Sequence, residues 1–235
     1  MGGLSMKRFF LLVFLLAVSS VFAVTPAEVT AYRKAAEQGD AKSQFNLALC
    51  YYNGDGVRKD LKQAEVAAYR KAADQGDAKA QFNLALCYYN GYGVRKDLKQ
   101  AVFWYRKAAD QGDAKAQFNL ALCYANGYGV QKDLKQAVFW YRKAADQGHA
   151  KAQNNLGVCY YNGGGVQKDL TQAVFWFRKA AEQGYAQAQN NLGICYYNGD
   201  GVQKDLTQAV FWLRKAADQG NALAQKVLKM LKVTQ

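Results

Sequence analysis

The chain has 235 residues, with 31 Lys and Arg against 18 Asp and Glu, a net charge of +13. Such a balance steers anionic partners toward the surface and says nothing about the fold. One histidine and one proline in the whole chain exclude a histidine-rich metal centre and a proline-rich linker.

The N-terminus reads as a secretory signal. Lys7 and Arg8 precede an unbroken apolar run from Phe9 to Val18, followed by Ser19, Ser20 and Val21-Phe22-Ala23. Small residues near the junction predict cleavage after Ala23 and a signal peptide over 1–23. The alternative is an uncleaved anchor, but the run falls short of the roughly 20 residues a spanning helix needs. No cysteine sits near this junction, which argues against a lipid anchor. No later segment is apolar for long enough to span a bilayer. The expectation is an exported protein, periplasmic or secreted, whose mature part (24–235) has a net charge near +11.

From there the chain repeats itself. Cys50, Cys87, Cys123, Cys159 and Cys195 are separated by 37, 36, 36 and 36 residues, and Gly39, Gly76, Gly112, Gly148, Gly184 and Gly220 keep the same steps. One unit, Asp77 to Gly112, divides into two helices. The first begins at Asp77, an acceptor for free helix N–H groups, and ends at Gly91, suited to the left-handed C-cap. Tyr92 to Lys96 is the turn. The second opens at Asp97 with Gln100 three residues on, a variant of the capping box, and closes at Gly112. Helices of about 14 residues do not persist alone in water, so stacking must stabilise them, as in a solenoid.

A helical wheel places Ala78, Gln81, Leu84, Ala85 and Tyr88 on one face of the first helix. Leu98, Ala101, Trp104, Tyr105, Ala108 and Ala109 make the matching stripe on the second. Trp104, Trp140, Trp176 and Trp212 read as buried anchors. The first full unit carries one extra residue and has Ala68 where later copies have Trp, which predicts a bulge or looser packing there.

The recurring string A-x-x-Q-x-x-L-[AG]-x-x-Y-x-x-G-x-G-V-x-x-D-x-x-x-A-x-x-[WY]-x-x-K-A-A-x-Q-G resembles the Sel1-like repeat, a relative of the tetratricopeptide repeat, over about Ala27 to Val233. The resemblance implies an all-α fold, a right-handed α/α superhelix of about five helix-pair repeats, with a concave groove lined mainly by the first helices. On this reading 24–235 is one continuous repeat domain. Its repeats run about 40–76, 77–112, 113–148, 149–184 and 185–220. Capping helices at 27–39 and 221–233 close the two ends. The family also implies a scaffold or adaptor role.

Catalytic chemistry is poorly supplied. Beyond residue 23 the chain has one serine, Ser43, and one histidine, His149, about three units apart, too far for a Ser–His–acid triad. His149 occupies the position of Asp40, Asp77 and Asp113, which predicts a helix-start role. No Cys/His spacing suits a metal, no glycine-rich segment matches a phosphate loop, and no cofactor is expected. Five cysteines at one repeat position read as buried free thiols. Equivalent positions on helices 8–10 Å apart are too distant for a disulfide, so none is expected; the runner-up is a bridge or mixed disulfide of one or two. The cysteine-rich branch of the Sel1-like family carries two bridged cysteines per repeat and is associated with β-lactam binding and hydrolysis. This chain has one per repeat. A hydrolase of β-lactam or cell-wall-like substrates is therefore the disfavoured alternative.

The expected site is the face of the first helices opposite the packed one. Its columns are Lys42, Lys79, Lys115, Lys151 and Gln187, then Asn46, Asn83, Asn119, Asn155 and Asn191. A third column runs Phe45, Phe82 and Phe118, then Asn154 and Asn190. An amide side chain both donates and accepts, so a column of them suits the backbone of an extended peptide, with lysines favouring carboxylates. The competing reading is that these side chains only solvate the face or tie neighbouring helices together. The expected partner is a protein or peptide, acidic or envelope-associated, bound by a monomer. The Arg-Lys pairs such as Arg106-Lys107 read as a solvated outer face, with no nucleic acid expected.

Overall fold

We describe a computed structural model of the chain. It covers residues 24–231 apart from 59, so the signal peptide expected over 1–23 and the last residues of the expected C-terminal cap lie outside the described residues. These residues form twelve α-helices. They are α1 (Pro26–Glu37), α2 (Ala41–Asn53), α3 (Leu61–Asp74), α4 (Ala78–Asn90), α5 (Leu98–Asp110) and α6 (Ala114–Asn126). After them come α7 (Leu134–Asp146), α8 (Ala150–Asn162), α9 (Leu170–Glu182), α10 (Ala186–Asn198), α11 (Leu206–Asp218) and α12 (Ala222–Met230). The helices fall into two compact units divided between Lys96 and Asp97. The first holds α1 to α4 and the second α5 to α12.

Local chemistry sets the helix ends. Thr25 and Glu28 complete a capping box on α1. Asp77 accepts from the Ala80 N–H on α4, and Asp113 accepts from the Ala116 N–H on α6. On α5 the Asp97 carboxylate takes the N–H groups of Lys99 and Gln100, satisfying donors that the helix itself leaves free. Gly127, Gly163 and Gly199 close α6, α8 and α10 in the left-handed conformation, with φ of 76°, 74° and 85°.

The turn within each pair then locks onto the preceding repeat. In the second unit, Gly129 lies so close to the end of α5 that a Cβ there would sit 2.1 Å from the Leu98 carbonyl oxygen. Gly165 against Leu134 and Gly201 against Leu170 repeat this at 2.2 and 2.1 Å. Only glycine combines that approach with a positive φ.

The core of the second unit is a run of alanines with one large residue per turn. Leu120, Leu156, Leu192 and Leu213 are fully buried, as are Ala108, Ala121, Ala144 and Ala180. Trp104, Trp140 and Trp176 are buried and Trp212 is half-buried. Gly157 and Gly193 replace the alanine of earlier first helices and face Phe177 and Leu213 of their own pair, at distances a Cβ would close to 2.7 Å.

The first unit departs from this pattern in α3. That helix is an unbroken α-helix of 14 residues, where α5 has 13, so the extra residue makes no bulge. The packing around it is looser. A cavity of about 150 Å³ opens among residues including Arg33, Gln44, Leu47, Tyr51, Val66 and Ala67. Counted from the N-cap the position of Trp104 is Ala67, and counted from the C-cap it is Ala68. Alanine stands at both.

Candidate binding face

Three polar systems run along the second unit, and each joins one repeat to the next. The first is a buried glutamine column. Gln117, Gln153 and Gln189 donate from Nε2 to the carbonyls of Ala109, Ala145 and Ala181, the last alanines of the preceding second helices, at 3.0 to 3.1 Å. Their Oε1 atoms accept from Gln147, Gln183 and Gln219 at 2.7 to 2.8 Å. Each amide thus adds a bond from the next repeat to a helix-end carbonyl that already accepts from the backbone N–H of Gly112, Gly148 or Gly184.

The second system pairs arginine with tyrosine. Arg178 donates to the Tyr196 hydroxyl at 2.8 Å, and Arg106 and Arg142 reach Tyr124 and Tyr160 in the same way. The Arg106 and Arg142 guanidinium groups also lie 5.7 Å from those ring centroids. In the first unit Arg33 donates to Tyr51, again at 2.8 Å. Arg33, Arg106, Arg142 and Arg178 are thus tied to the following first helix while remaining exposed, as are the lysines beside them, on the solvated face expected from sequence.

The third system holds the predicted site. In the second unit Lys115 and Lys151 are exposed, and Asn119, Asn155 and Asn191 are half-buried. Asn154 and Asn190, expected on an open column, are buried. The four asparagines of α8 and α10 are linked. Asn191 donates to Asn154 at 2.9 Å, Asn154 to Asn155 at 3.2 Å, and Asn190 to Asn191 at 3.4 Å. The network ties two first helices together, which is the competing reading of the Asn columns. Phe118 is half-buried, stacked on the His149 ring at 4.8 Å and tilted against Tyr141 at 6.0 Å. In the first unit Lys42 and Lys79 are exposed, while Asn46, Asn83 and Phe82 are half-buried.

His149 caps α8, its Nδ1 accepting from the Ala152 N–H at 3.2 Å. Burial first, then Lys151, lowers its pKa below the usual histidine value. The five cysteines are free. Burial raises the Cys87, Cys123 and Cys159 thiols to about 11 and Cys195 to about 12. At neutral pH they are protonated and weakly nucleophilic. Among the described residues no group of three or more His, Cys, Asp or Glu could hold a metal, and no helix is long and apolar enough to cross a membrane.

Between α8 and α10, beside the asparagine network, lies a cavity of about 110 Å³. It is lined by Val158, Tyr161, Asn162, Phe177, Asn191, Ile194 and Cys195. Tyr161 donates to the Asp200 carboxylate at 2.8 Å, and Asn198 donates to the same group at 2.9 Å. These bonds, Asn198 first, lower the Asp200 pKa; the bond to Asp200 is also the main cause of the rise of Tyr161 to about 12. Sequence analysis missed Val158, Tyr161 and Asp200. The signal was the turn position of Asp200, which varies (Tyr92, Tyr128, Gly164) while its neighbours do not.

Stacked helix pairs, tied repeat to repeat through buried amides, define a helical-repeat protein, a class that works by presenting surface. The Sel1 repeat profile matches residues 32–40, 41–65, 69–77, 78–113, 114–149, 150–185 and 186–221, and the chain belongs to the Sel1 repeat family. It is similar to c5321, a protective antigen of uropathogenic Escherichia coli strains with an SLR fold. That match has 41% identity over 83% of this chain and a TM-score of 0.69, and the chain spans only 41% of that structure. It is also similar to a Sel1 repeat protein from Oxalobacter formigenes, at 38% identity over 86% of each chain and a TM-score of 0.67. No functionally curated protein matches the sequence. Proteins of this family are generally protein-interaction scaffolds rather than enzymes.

Proposed function

We propose that the protein is an exported interaction module that takes an extended segment of a protein partner on the first-helix face of its second unit. The cavity beside Asn191 carries this reading. It offers apolar walls of Val158 and Ile194 between α10 and α8, and α8 carries the exposed Lys151 near its start. A side chain of the partner would fill it, while Asn155 Oδ1, which accepts from Asn154, would take a backbone N–H of the partner with its second lone pair. The exposed lysines favour a partner carrying carboxylates.

Export rests on the pattern of residues 1–23. Scaffolding rather than catalysis is supported by the commitments of the reactive groups: His149 is spent on a cap and the thiols are protonated.

Photocrosslinking from position 158 in cell-envelope extract tests the proposal. One discrete protein partner should be recovered, and Ile194→Glu, or Asn191→Leu in a chain of unchanged helical content, should remove it. Recovery of the same partner at equal yield from both variants would assign binding to another surface.

A further inference from the structure

Opposite in chemistry to the asparagine face is a ridge on the second helices of the second unit. Phe103, Phe139, Phe175 and Phe211 occupy one register position on α5, α7, α9 and α11, and they are 45 to 48% exposed. Each stands edge-on against the tryptophan that follows it, at 4.9 to 5.0 Å between ring centroids. Each is flanked one turn on by a lysine, from Lys107 to Lys215, whose Nζ lies 4.7 to 5.1 Å from the phenylalanine ring. The phenylalanines are exposed, whereas the tryptophans beside the first three are buried.

We propose that this ridge docks on an anionic lipid bilayer, with the phenylalanines entering the headgroup boundary and the lysines meeting the lipid phosphates. The proposal goes beyond the protein-binding reading and uses none of its residues. Aromatic rings beside long basic side chains are the chemistry of interfacial adsorption, the alkyl stems lying along apolar surface while the ammonium groups reach the headgroups. Charge fits as well: the single acid of each of these helices, such as Asp146 on α7, is its last residue, beyond the lysine. Uniformity favours a bilayer over an acidic protein. The ridge repeats one Phe-Trp-Lys group without variation, which matches a laterally uniform partner. The first-helix face changes from Phe118 to Asn154 and Asn190, as a surface fitted to one sequence does.

The chain has four tryptophans, each packed against a phenylalanine of this ridge, so tryptophan fluorescence reports on the ridge. The full chain is titrated with vesicles whose lipids carry brominated acyl chains. One series is phosphatidylcholine alone and the other is phosphatidylcholine mixed with phosphatidylglycerol. Quenching is expected on the anionic vesicles and should fade with added salt. Phe139→Ser with Phe175→Ser should weaken it roughly tenfold or more. Lys143→Glu with Lys179→Glu, which leaves every ring in place, should abolish the preference for anionic lipid. Circular dichroism of both variants should match the parent. Absence of quenching, or equal quenching in the parent and both variants, overturns the proposal. Ridge-dependent binding to soluble polyglutamate without quenching by vesicles also overturns it, assigning the face to an acidic protein.

Discussion

The buried amide of Gln44 donates to the Asp74 carboxylate, thirty residues along the chain, where Gln117, Gln153 and Gln189 at the same separation meet a second glutamine. The extra residue in α3 is the cause. It pushes Gln75, the counterpart of Gln147, one place too far. Gln44 Nε2 then serves both Asp74 and the Ala36 carbonyl, and its Oε1 is buried without a partner. A buried unpaired carbonyl costs about 1–3 kcal/mol.

Replacing Ala67-Ala68 by a single Trp should repair both faults. The shortened helix returns Gln75 to Gln44, and the indole fills the cavity of about 150 Å³. We expect stabilisation of about 1–3 kcal/mol, read as a higher urea midpoint. A lower midpoint would mean that the extra residue relieves a strain that the cavity conceals.

Two glycines with similar φ separate backbone strain from crowding. Gly112 has φ of 93° and open space around its missing Cβ, whereas Gly129 has φ of 68° and would place a Cβ 2.1 Å from the Leu98 oxygen. Gly112→Ala should cost about 1 kcal/mol for the left-handed conformation alone. Gly129→Ala should cost at least about 3 kcal/mol, since the turn must also lift away from α5. Equal losses in parallel denaturation curves would contradict the locking of turn onto helix.

The thiols make stability fall with alkalinity. Their folded pKa values, about 11 for Cys123 and about 12 for Cys195, lie above the ordinary thiol value of 9.0. The folded protein therefore holds protons that the unfolded chain has released. The contribution is complete below pH 9 and is lost as pH rises toward 11, by up to about 1.4 kcal/mol per pH unit for each thiol. Unfolding curves at pH 8 and 10 should show Cys123→Ala losing less stability over that interval than the parent does.

The cap of α8 gives the opposite dependence. Neutral His149 accepts from Ala152 through Nδ1, and its pKa lies below the usual 6.5. Its contribution is present above that value and disappears as pH falls through the folded pKa and the ring takes a second proton. Acidification from pH 7.5 to 5 should weaken the parent by roughly 0.5–1 kcal/mol more than His149→Asp, whose carboxylate still caps.

Much of this was readable from the chain. Asp97, Gly127 and Trp140 fall where capping chemistry and helical period put them, because those choices are made within a few residues. What escaped depends on partners a full repeat away. Gln81 reads as one more residue on the packed face; which carbonyl its amide meets depends on how neighbouring helices slide past each other. Arg106 and Lys107 look alike in sequence, yet one binds Tyr124 and the other covers Phe103. Asn154 and Asn155 look alike in sequence, yet Asn154 is buried and accepts from Asn191 while Asn155 stays half-buried. Phe103 was masked by Trp104, since two adjacent aromatics suggest one buried stripe.

The glutamine and arginine ties recur at fixed separations of 8, 18 and 30 residues, all shorter than one period. A crossover between two copies of the gene, out of step by a whole period, therefore rebuilds every one of them. The array can gain or shed a repeat without rewiring its interior, and its reach becomes heritable in steps. The extra residue in α3 shows the opposite case. Like a dislocation in a crystal, it cannot be absorbed locally, and the mismatch persists as a fixed seam in the first unit.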